Sequence, residues 1–294
     1  MESATFLNDI KKIIESALSE DIGPGDITTS LLIPDNVIAD GIITAEEDIV
    51  LAGIKVAEEV FKTLDPEVGF ELLARDGELV KAGVKIIRVH GRARALLTGE
   101  RVALNFLQRL SGIATLSKRY ADAVKGLSVR IADTRKTTPC LRSLEKYAVR
   151  IGGCWNHRYG LFDGILIKEN HIALTSGVAV ATSNIREKMP HTLKVEVEVR
   201  DLEEVKEAIK GKADVIMLDN MDIQMMKESV SIIRDYKDKE ILIEASGGMS
   251  LDKVQEVAST GVDIISVGAL THSALWANIS MDVFKEKSKI KYQT

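Results

Sequence analysis

Along residues 128–270, short apolar runs alternate with stretches whose apolar residues recur every three or four positions. The runs are "SVRIA", "GILI", "LKVEVEV", "DVIML", "ILIEA" and "DIISV". Between most of them lie the helical patterns "LRSLEKYAVRI", "SGVAVATSNIREKM", "DLEEVKEAIKG", "DIQMMKESVSIIRDY" and "SLDKVQEVASTG". A repeated strand-then-helix order with short links predicts a parallel sheet, because each parallel strand needs a crossover of about this length. At least six such units in series predict an α/β fold with a closed or nearly closed β/α barrel. An open doubly wound sheet is the alternative, although no GxGxxG follows the first strand to support dinucleotide binding.

The first hundred residues have a different rhythm. The strand-like pieces "DGIITAEED", "GFELLA" and "KIIRVHGRA" are separated by Gly/Asp turns, with helices expected at 6–18 and 53–64. This predicts a small α+β domain over residues 1–113. The long helical stretch "TGERVALNFLQRLSGIATLSKRYADAVKG" leads from it into a barrel over 114–274. After about residue 275 no further β/α unit follows, so 275–294 is expected to return to the first domain. In the N-terminal helix Leu7, Ile10, Ile14 and Leu18 share one face without forming the continuous apolar core of a signal peptide.

Composition narrows the function. The net charge of −5 argues against a nucleic-acid binder that works through an overall basic surface. That average hides an island: residues 130–171 hold eight Lys/Arg and four Asp/Glu, leaving the rest of the chain at −9. A basic island in an acidic protein predicts a small polyanionic ligand. The other reading, for Arg130, Arg142, Lys146 and Arg150, is a solvated helix face, and the residues alone leave it open. The two cysteines, Cys140 and Cys154, form no CxxC and have no His at zinc-ligand spacing, which predicts free thiols in a reducing compartment. No window approaches a membrane span, so a cytoplasmic protein is expected.

In β/α barrels the chemistry gathers where strands end. Those positions here are Asp133, Arg135 and Lys136; Lys168, Asn170 and His171; Glu196 and Glu198; Asp219 and Asn220; Glu244, Ser246, Gly247 and Gly248; and Gly268. Arg135 and Arg158 suit planar carboxylates, which guanidinium forks bind in bidentate fashion. The middle carboxylates can hold Mg²⁺ beside substrate phosphates. The late Gly-rich turns expose N–H groups, a phosphate cradle. Each feature has a plainer reading. "SGG" can be only a loop, the Glu pair can be neutralised by Lys168 or Lys194, and His157 and His171 can be packing or capping residues. Lys168 can also be the Schiff-base lysine of a lyase.

The segment "DTRKTTPCLRSLEKYAVRIGGCWNHRYGLFDGILIKENH" at 133–171 resembles the quinolinate phosphoribosyltransferases. So do "ALSEDIGPGDITT", "GERVALNFLQRLSGIAT", "VEVEV", "MLDNM", "EASGG" and "ISVGALTHSA", in order along the whole chain. Nicotinate phosphoribosyltransferases and a paralogous group associated with molybdate transport share the architecture. The intact "NHR" and "LIKENH" segments are more similar to the quinolinate enzymes. The pattern is broken in three places: Cys140 replaces a Gly, Cys154-Trp155 replaces a small Gly-rich pair, and Asn278 replaces an Asp.

The resemblance implies a Mg²⁺-dependent reaction of quinolinate with phosphoribosyl pyrophosphate in NAD biosynthesis. It implies a seven-stranded, incomplete TIM-like barrel with an N-terminal sandwich, assembled as a homodimer with shared sites or as a hexamer of such dimers. No nucleic acid or membrane partner is implied. Arg135, Lys136, His157, Arg158 and Lys168 would surround quinolinate, with Arg101 reaching in from the neighbouring subunit. Lys168, Glu198, Asp219, Ser246, Gly247, Gly248, Gly268 and His272 would serve phosphoribosyl pyrophosphate. Glu198 and Asp219 would hold the metal, directly or through water, and count with Lys136 as catalytic. A non-catalytic phosphate-binding protein that kept the cradle is the remaining alternative.

Overall fold

The computed structural model describes residues 4–237 and 240–285. The chain divides into two compact units: Met1–Leu116 with Pro139–Gly152 and Ala274–Thr294, and Ser117–Thr138 with Gly153–Ser273.

The first unit opens with helices α1 (Ala4–Ile22) and α2 (Ile27–Leu32), the second capped by Asp26, whose side chain accepts the Thr29 N–H. Ile10, Ile14 and Leu18 are buried as their spacing predicts; the Leu7 side chain lies outside the described residues. Strands β1 (Ile38–Ala45) and β2 (Ile49–Val50) precede helix α3 (Ile54–Leu64). Strands β3 (Gly69–Leu72), β4 (Leu79–Val80) and β5 (Lys85–Arg92) follow, and then the long helix α4 (Ala93–Ala123). The helix begins five residues before the expected Thr98, because "ARALL" is made of good helix formers and extends it backwards.

Helix α5 (Arg142–Ile151) belongs to this unit, although the sequence reading assigned it to the barrel domain. Its buried Glu145 receives Arg109 at 2.6 Å. Tyr147 donates to Asp76 at 2.6 Å, and Asp76 also accepts the Gly53 and Ile54 N–H groups.

Among the described residues, β12 (Ile279–Lys285) is the one strand of this unit not foreseen beyond the two-residue ribbon of β2 and β4. It pairs antiparallel with β1 and completes a sheet of order β12-β1-β5-β3. Its approach is fixed on α4, where Ala277 N–H donates to the Gln108 carbonyl and Gln108 Nε2 donates to the Ile279 carbonyl. Gly112 lets the tail come this close: a Cβ there would sit 1.9 Å from the Leu275 carbonyl oxygen. Residues 286–294 of the expected returning tail lie outside the described residues.

The second unit is the expected parallel α/β sheet. Its strands are β6 (Arg130–Ala132), β7 (Ile165–Ile167), β8 (Val195–Val199), β9 (Val215–Asp219), β10 (Leu242–Ser246) and β11 (Ile264–Ser266). Helices α6 (Glu169–Ile172), α7 (Val178–Lys188), α8 (Leu202–Lys210), α9 (Ile223–Asp235), α10 (Val254–Ala258) and α11 (Ala269–His272) intervene. The order is β6-β11-β10-β9-β8-β7, all parallel. Among the described residues the barrel-like sheet therefore has six strands. At the seventh expected position stands a single parallel bridge, Trp155 to Ala132 on the free side of β6. Every residue of β8 is buried, as a strand covered on both faces requires. Two side chains on that strand are carboxylates, Glu196 and Glu198, and both must find partners inside.

Candidate functional site

The strand ends of the parallel sheet enclose a cavity of about 520 Å³. Register decides what faces it. Glu198 is level with Met217, Met217 with Glu244, and Asp219 with Ser246, so the carboxylates enter in successive layers. All of these side chains line the cavity.

One wall is cationic and is built by two turns. After β6, Lys136 N–H donates to Thr134 Oγ1, and Thr271 Oγ1 donates to the Lys136 carbonyl, which fixes the turn carrying Arg135 and Lys136. The "NHR" turn is clamped by Asp133, a fully buried carboxylate that accepts from Asn156 Nδ2 at 2.7 Å and from His157 N–H at 2.8 Å. Arg158 N–H in turn donates to His157 Nδ1 at 2.8 Å, while Arg158 Nη1 donates to the Gly164 carbonyl at 2.8 Å. Arg158 Nε is buried with no hydrogen-bond partner, a donor available to an anion. Burial, and then the neighbouring Arg135 charge, holds the Arg158 guanidinium below its ordinary range. A buried guanidinium disfavoured by a like charge beside it forms a site that an anion would relieve.

The opposite wall is acidic and then glycine-rich. Lys168 lies between them, its Nζ 2.6 Å from Glu198 Oε2. His171 is the capping residue its plainer reading suggested, since Nδ1 accepts the Lys168 N–H at 2.9 Å. Asn220 sits at φ 54° beside Asp219, to which its Nδ2 donates at 2.7 Å. Ser246, Gly247 and Gly248 complete that wall. Gly247, at φ 92°, packs so closely that a Cβ would lie 2.2 Å from Asn220 Oδ1. Helix α10 starts only at Val254, so the anion chemistry of "SGG" resides in the turn itself and not in a helix N-terminus.

Two further expected residues stand beside Lys136. A Cβ on Gly268 would be 3.1 Å from Lys136 Cδ and 3.0 Å from His272 Nε2, and neither Gly268 nor His272 lines the cavity itself. Arg101 lies in the first unit, exposed on α4. Arg142, Lys146 and Arg150 of the basic island sit on α5 in that same unit, with Lys146 buried. Arg130 stacks its guanidinium 4.4 Å from the centre of the Trp155 ring. The island thus splits, and only Arg135, Lys136, Arg158 and Lys168 of its eight cations line the cavity.

One glutamate keeps its simplest reading and the other does not. Glu198 takes Lys168, whereas Glu196 faces His157, with Oε2 3.1 Å from Nε2. Glu244 lies 3.6 Å from the same nitrogen. Its carboxyl is pushed up to about 8, first by burial and then by the Glu196 charge, against the pull of His157. Nothing in the spacing of positions 157, 196 and 244 announced this cluster.

The departures also find places. Cys140 is exposed at φ 66°, a left-handed conformation that suits glycine. Cys154 is buried, its thiol donating to the Ser117 carbonyl at 3.2 Å, and burial pushes it up to about 12. Backbone groups of Asn278 and Glu46 pair, as Glu46 N–H donates to the Asn278 carbonyl, so the change from Asp leaves that tail contact intact.

A parallel sheet of this kind, with cations, carboxylates and a glycine turn at its strand ends, has the layout of an enzyme site of the β/α class. The sequence matches the family "Quinolinate phosphoribosyl transferase", its N-terminal domain over residues 26–111 and its C-terminal domain over 113–282. The chain belongs to this family of pentosyltransferases. It is 42% identical over 272 residues to a "Probable nicotinate-nucleotide pyrophosphorylase [carboxylating]" of Synechocystis, covering 92% of each chain. A Bacillus subtilis protein of the same description is 42% identical, with 93% of each covered. Among solved structures, the nicotinate-nucleotide pyrophosphorylase of Francisella tularensis superposes with a TM-score of 0.88 at 38% identity, covering 94% of this chain and 96% of that one. NadC of Streptococcus pyogenes gives 0.91 at 37%, covering 98% and 100%.

Proposed function

We propose that this chain transfers the phosphoribosyl group of phosphoribosyl pyrophosphate to quinolinate and releases CO₂. The observation that carries the reading is the pairing, in one cavity, of a cationic wall with a carboxylate and glycine wall. Quinolinate carries two adjacent carboxylates, which Arg135, Lys136 and Arg158 can take. The pyridine nitrogen then attacks ribose C1 as pyrophosphate leaves with the bonding electrons. Side chains supply position and charge; no covalent nucleophile is required. The ring nitrogen, now cationic, stabilises by its charge the in-plane electron pair that stays on C2 as the 2-carboxylate departs as CO₂. A proton then replaces CO₂ at that carbon, giving nicotinate mononucleotide.

The donors at Glu198, Asp219 and Ser246 are all oxygen and lie at adjacent strand ends, a set that fits Mg²⁺. Glu198 and Asp219 would hold the ion, directly or through water, and it would neutralise diphosphate charge. Gly247 and Gly248, with Gly268 and His272 beside Lys136, would receive phosphate. Lys168 Nζ is held by the Glu198 carboxylate, a pairing that engages the amine a Schiff-base lysine would use, which disfavours the lyase reading. We place the enzyme in the cytoplasm, consistent with two free thiols and with no described helix long and apolar enough to cross a membrane.

The test is a coupled assay for nicotinate mononucleotide and CO₂ with purified protein. Quinolinate should react at least about tenfold faster than nicotinate, since one buried cation left unpaired costs about 1–3 kcal/mol. Equal nicotinate turnover would assign the protein to another transferase group. A homodimer in which Arg101 serves the neighbour's site completes the proposal. Arg101→Ala and Lys136→Ala should each be inactive, and refolding them together should restore about a quarter of the activity under random pairing. Hybrids that form without recovery would place Arg101 outside the neighbour's site.

A further inference from the structure

Beside the cationic wall lies a group of two buried glutamates and a histidine, of which Glu244 and His157 line the cavity. Glu196 and Glu244 are buried, and Oε1 of each has no hydrogen-bond partner. His157 meets both through Nε2, at 3.1 Å from Glu196 and 3.6 Å from Glu244. Ligand atoms of these three side chains lie within 4.8 Å of one another, close enough to suggest a metal centre. The far side of the ring argues otherwise. Nδ1 accepts the Arg158 N–H, so it carries no proton, and the neutral ring must keep its proton on Nε2, toward the glutamates. A metal on Nε2 would require a ring stripped of both protons, whereas a metal-ligating His ordinarily donates its other N–H to a partner.

Both ring nitrogens are thus engaged within the protein: one receives the backbone of Arg158, the other faces the buried pair. The same turn is tied from below by Asp133, and the Arg158 guanidinium is tied at its end by Gly164. Resting on the dicarboxylate reading of the cavity, we propose that Glu196 and Glu244 are positioning residues which, by holding the His157 ring, fix Arg158 at the cavity wall for a substrate carboxylate. His157 then acts through Arg158 and is not itself a ligand of quinolinate. The carboxylates select the tautomer, the tautomer anchors the backbone, and the backbone aims the guanidinium.

The experiment uses the full chain with ring-¹⁵N histidine, the His157 signal assigned with His157→Asn, and phthalate as a non-reacting dicarboxylate. At about pH 7, wild-type His157 should be neutral with Nδ1 unprotonated and Nε2 protonated. Saturating phthalate should leave it so. Glu196→Met and Glu244→Met remove the carboxylates at similar volume. They should raise the phthalate Kd and the KM for quinolinate about tenfold or more, while KM for phosphoribosyl pyrophosphate stays within about twofold. Glu196→Gln keeps an acceptor and should restore phthalate binding to within about threefold of wild type.

Met variants that bind phthalate normally, or a Gln variant as weak as Met, would overturn the proposal. So would a wild-type ring protonated on Nδ1, a tautomer that changes with phthalate, or ring signals shifted by added Zn²⁺. The ring measurement decides the matter even where a Met variant does not fold. Wild-type protein that neither binds phthalate nor consumes quinolinate would overturn the functional reading instead, with the tautomer still read independently.

Discussion

Lys168 Nζ lies 2.6 Å from Glu198 Oε2, so a cation at the end of β7 and a buried carboxylate on β8 neutralise each other inside the cavity. Removing either leaves the other uncompensated. Lys168→Met and Glu198→Gln should each lower kcat/KM about a hundredfold or more. The double variant should fall well short of the product of the two losses, because residues in contact couple. Fully multiplicative losses in a steady-state cycle would mean that the two act independently.

The glycine turn makes a second prediction. Gly247→Ala would drive a Cβ against Asn220 Oδ1 at a backbone angle that L side chains rarely adopt. The strain should displace the Asp219–Asn220 end of β9 and raise KM for phosphoribosyl pyrophosphate about tenfold or more. Phthalate binding, which depends on the other wall, should change little. A variant whose phthalate affinity falls as far as its phosphoribosyl pyrophosphate affinity would show that the two walls are not separable.

The thiols should behave oppositely. Cys154, pushed up to about 12 and buried, should resist iodoacetamide in the folded protein, and Cys154→Ser should keep most activity. Alkylation of the folded protein should therefore be confined to exposed Cys140. Cys140→Gly should stabilise the chain by about 0.5–1 kcal/mol, because relief of a left-handed side chain outweighs the added freedom of glycine when unfolded. Mass mapping of labelled peptides and urea midpoints check both statements. A less stable Cys140→Gly variant would mean that the side chain itself contributes to packing.

Glu244 predicts a pH dependence whose sign differs from the common carboxylate case. Its folded pKa is raised to about 8, while in the unfolded chain it ionises near about 4.3. The native state therefore retains a proton that the unfolded state releases. Its contribution should become less favourable as pH rises from about 5 to about 8 and level off above. Glu244→Gln is neutral in both states, so the difference between wild type and variant should carry that slope. Urea midpoints measured across this range would show parallel curves if burial does not raise the Glu244 pKa.

Much of the parallel unit was legible because its strands are covered on both faces and stand out as apolar runs. All six runs became strands, with ends shifted by only one or two residues. Period two on β8 puts Glu196 and Glu198 on one face, and both are buried. Lys168 as the partner of Glu198 was legible, but the partners of Glu196 were not, because His157 and Glu244 reach it only through sheet register. The plainer reading had offered Lys168 or Lys194. Strand β12 was missed because a single short run at an antiparallel edge follows no rhythm. Asp133 looked like one more charged group at a strand end; its clamp on Asn156 and His157 emerges only once Trp155 is bridged to β6.

The pairing of β1 with β12 also bears on how the molecule is made. Ala45 finds its partner at Ile279, so a ribosome must synthesise the entire parallel unit before β1 gains its outer neighbour. Until then β1 presents an open edge, and loop closure over so many residues slows its completion. The parallel unit, contiguous apart from residues 139–152, can assemble during that interval. Nascent chains halted before residue 279 should therefore protect the parallel strands from hydrogen exchange while leaving the β12-facing amides of β1 exchangeable, which marks that edge of the antiparallel sheet as the last to mature.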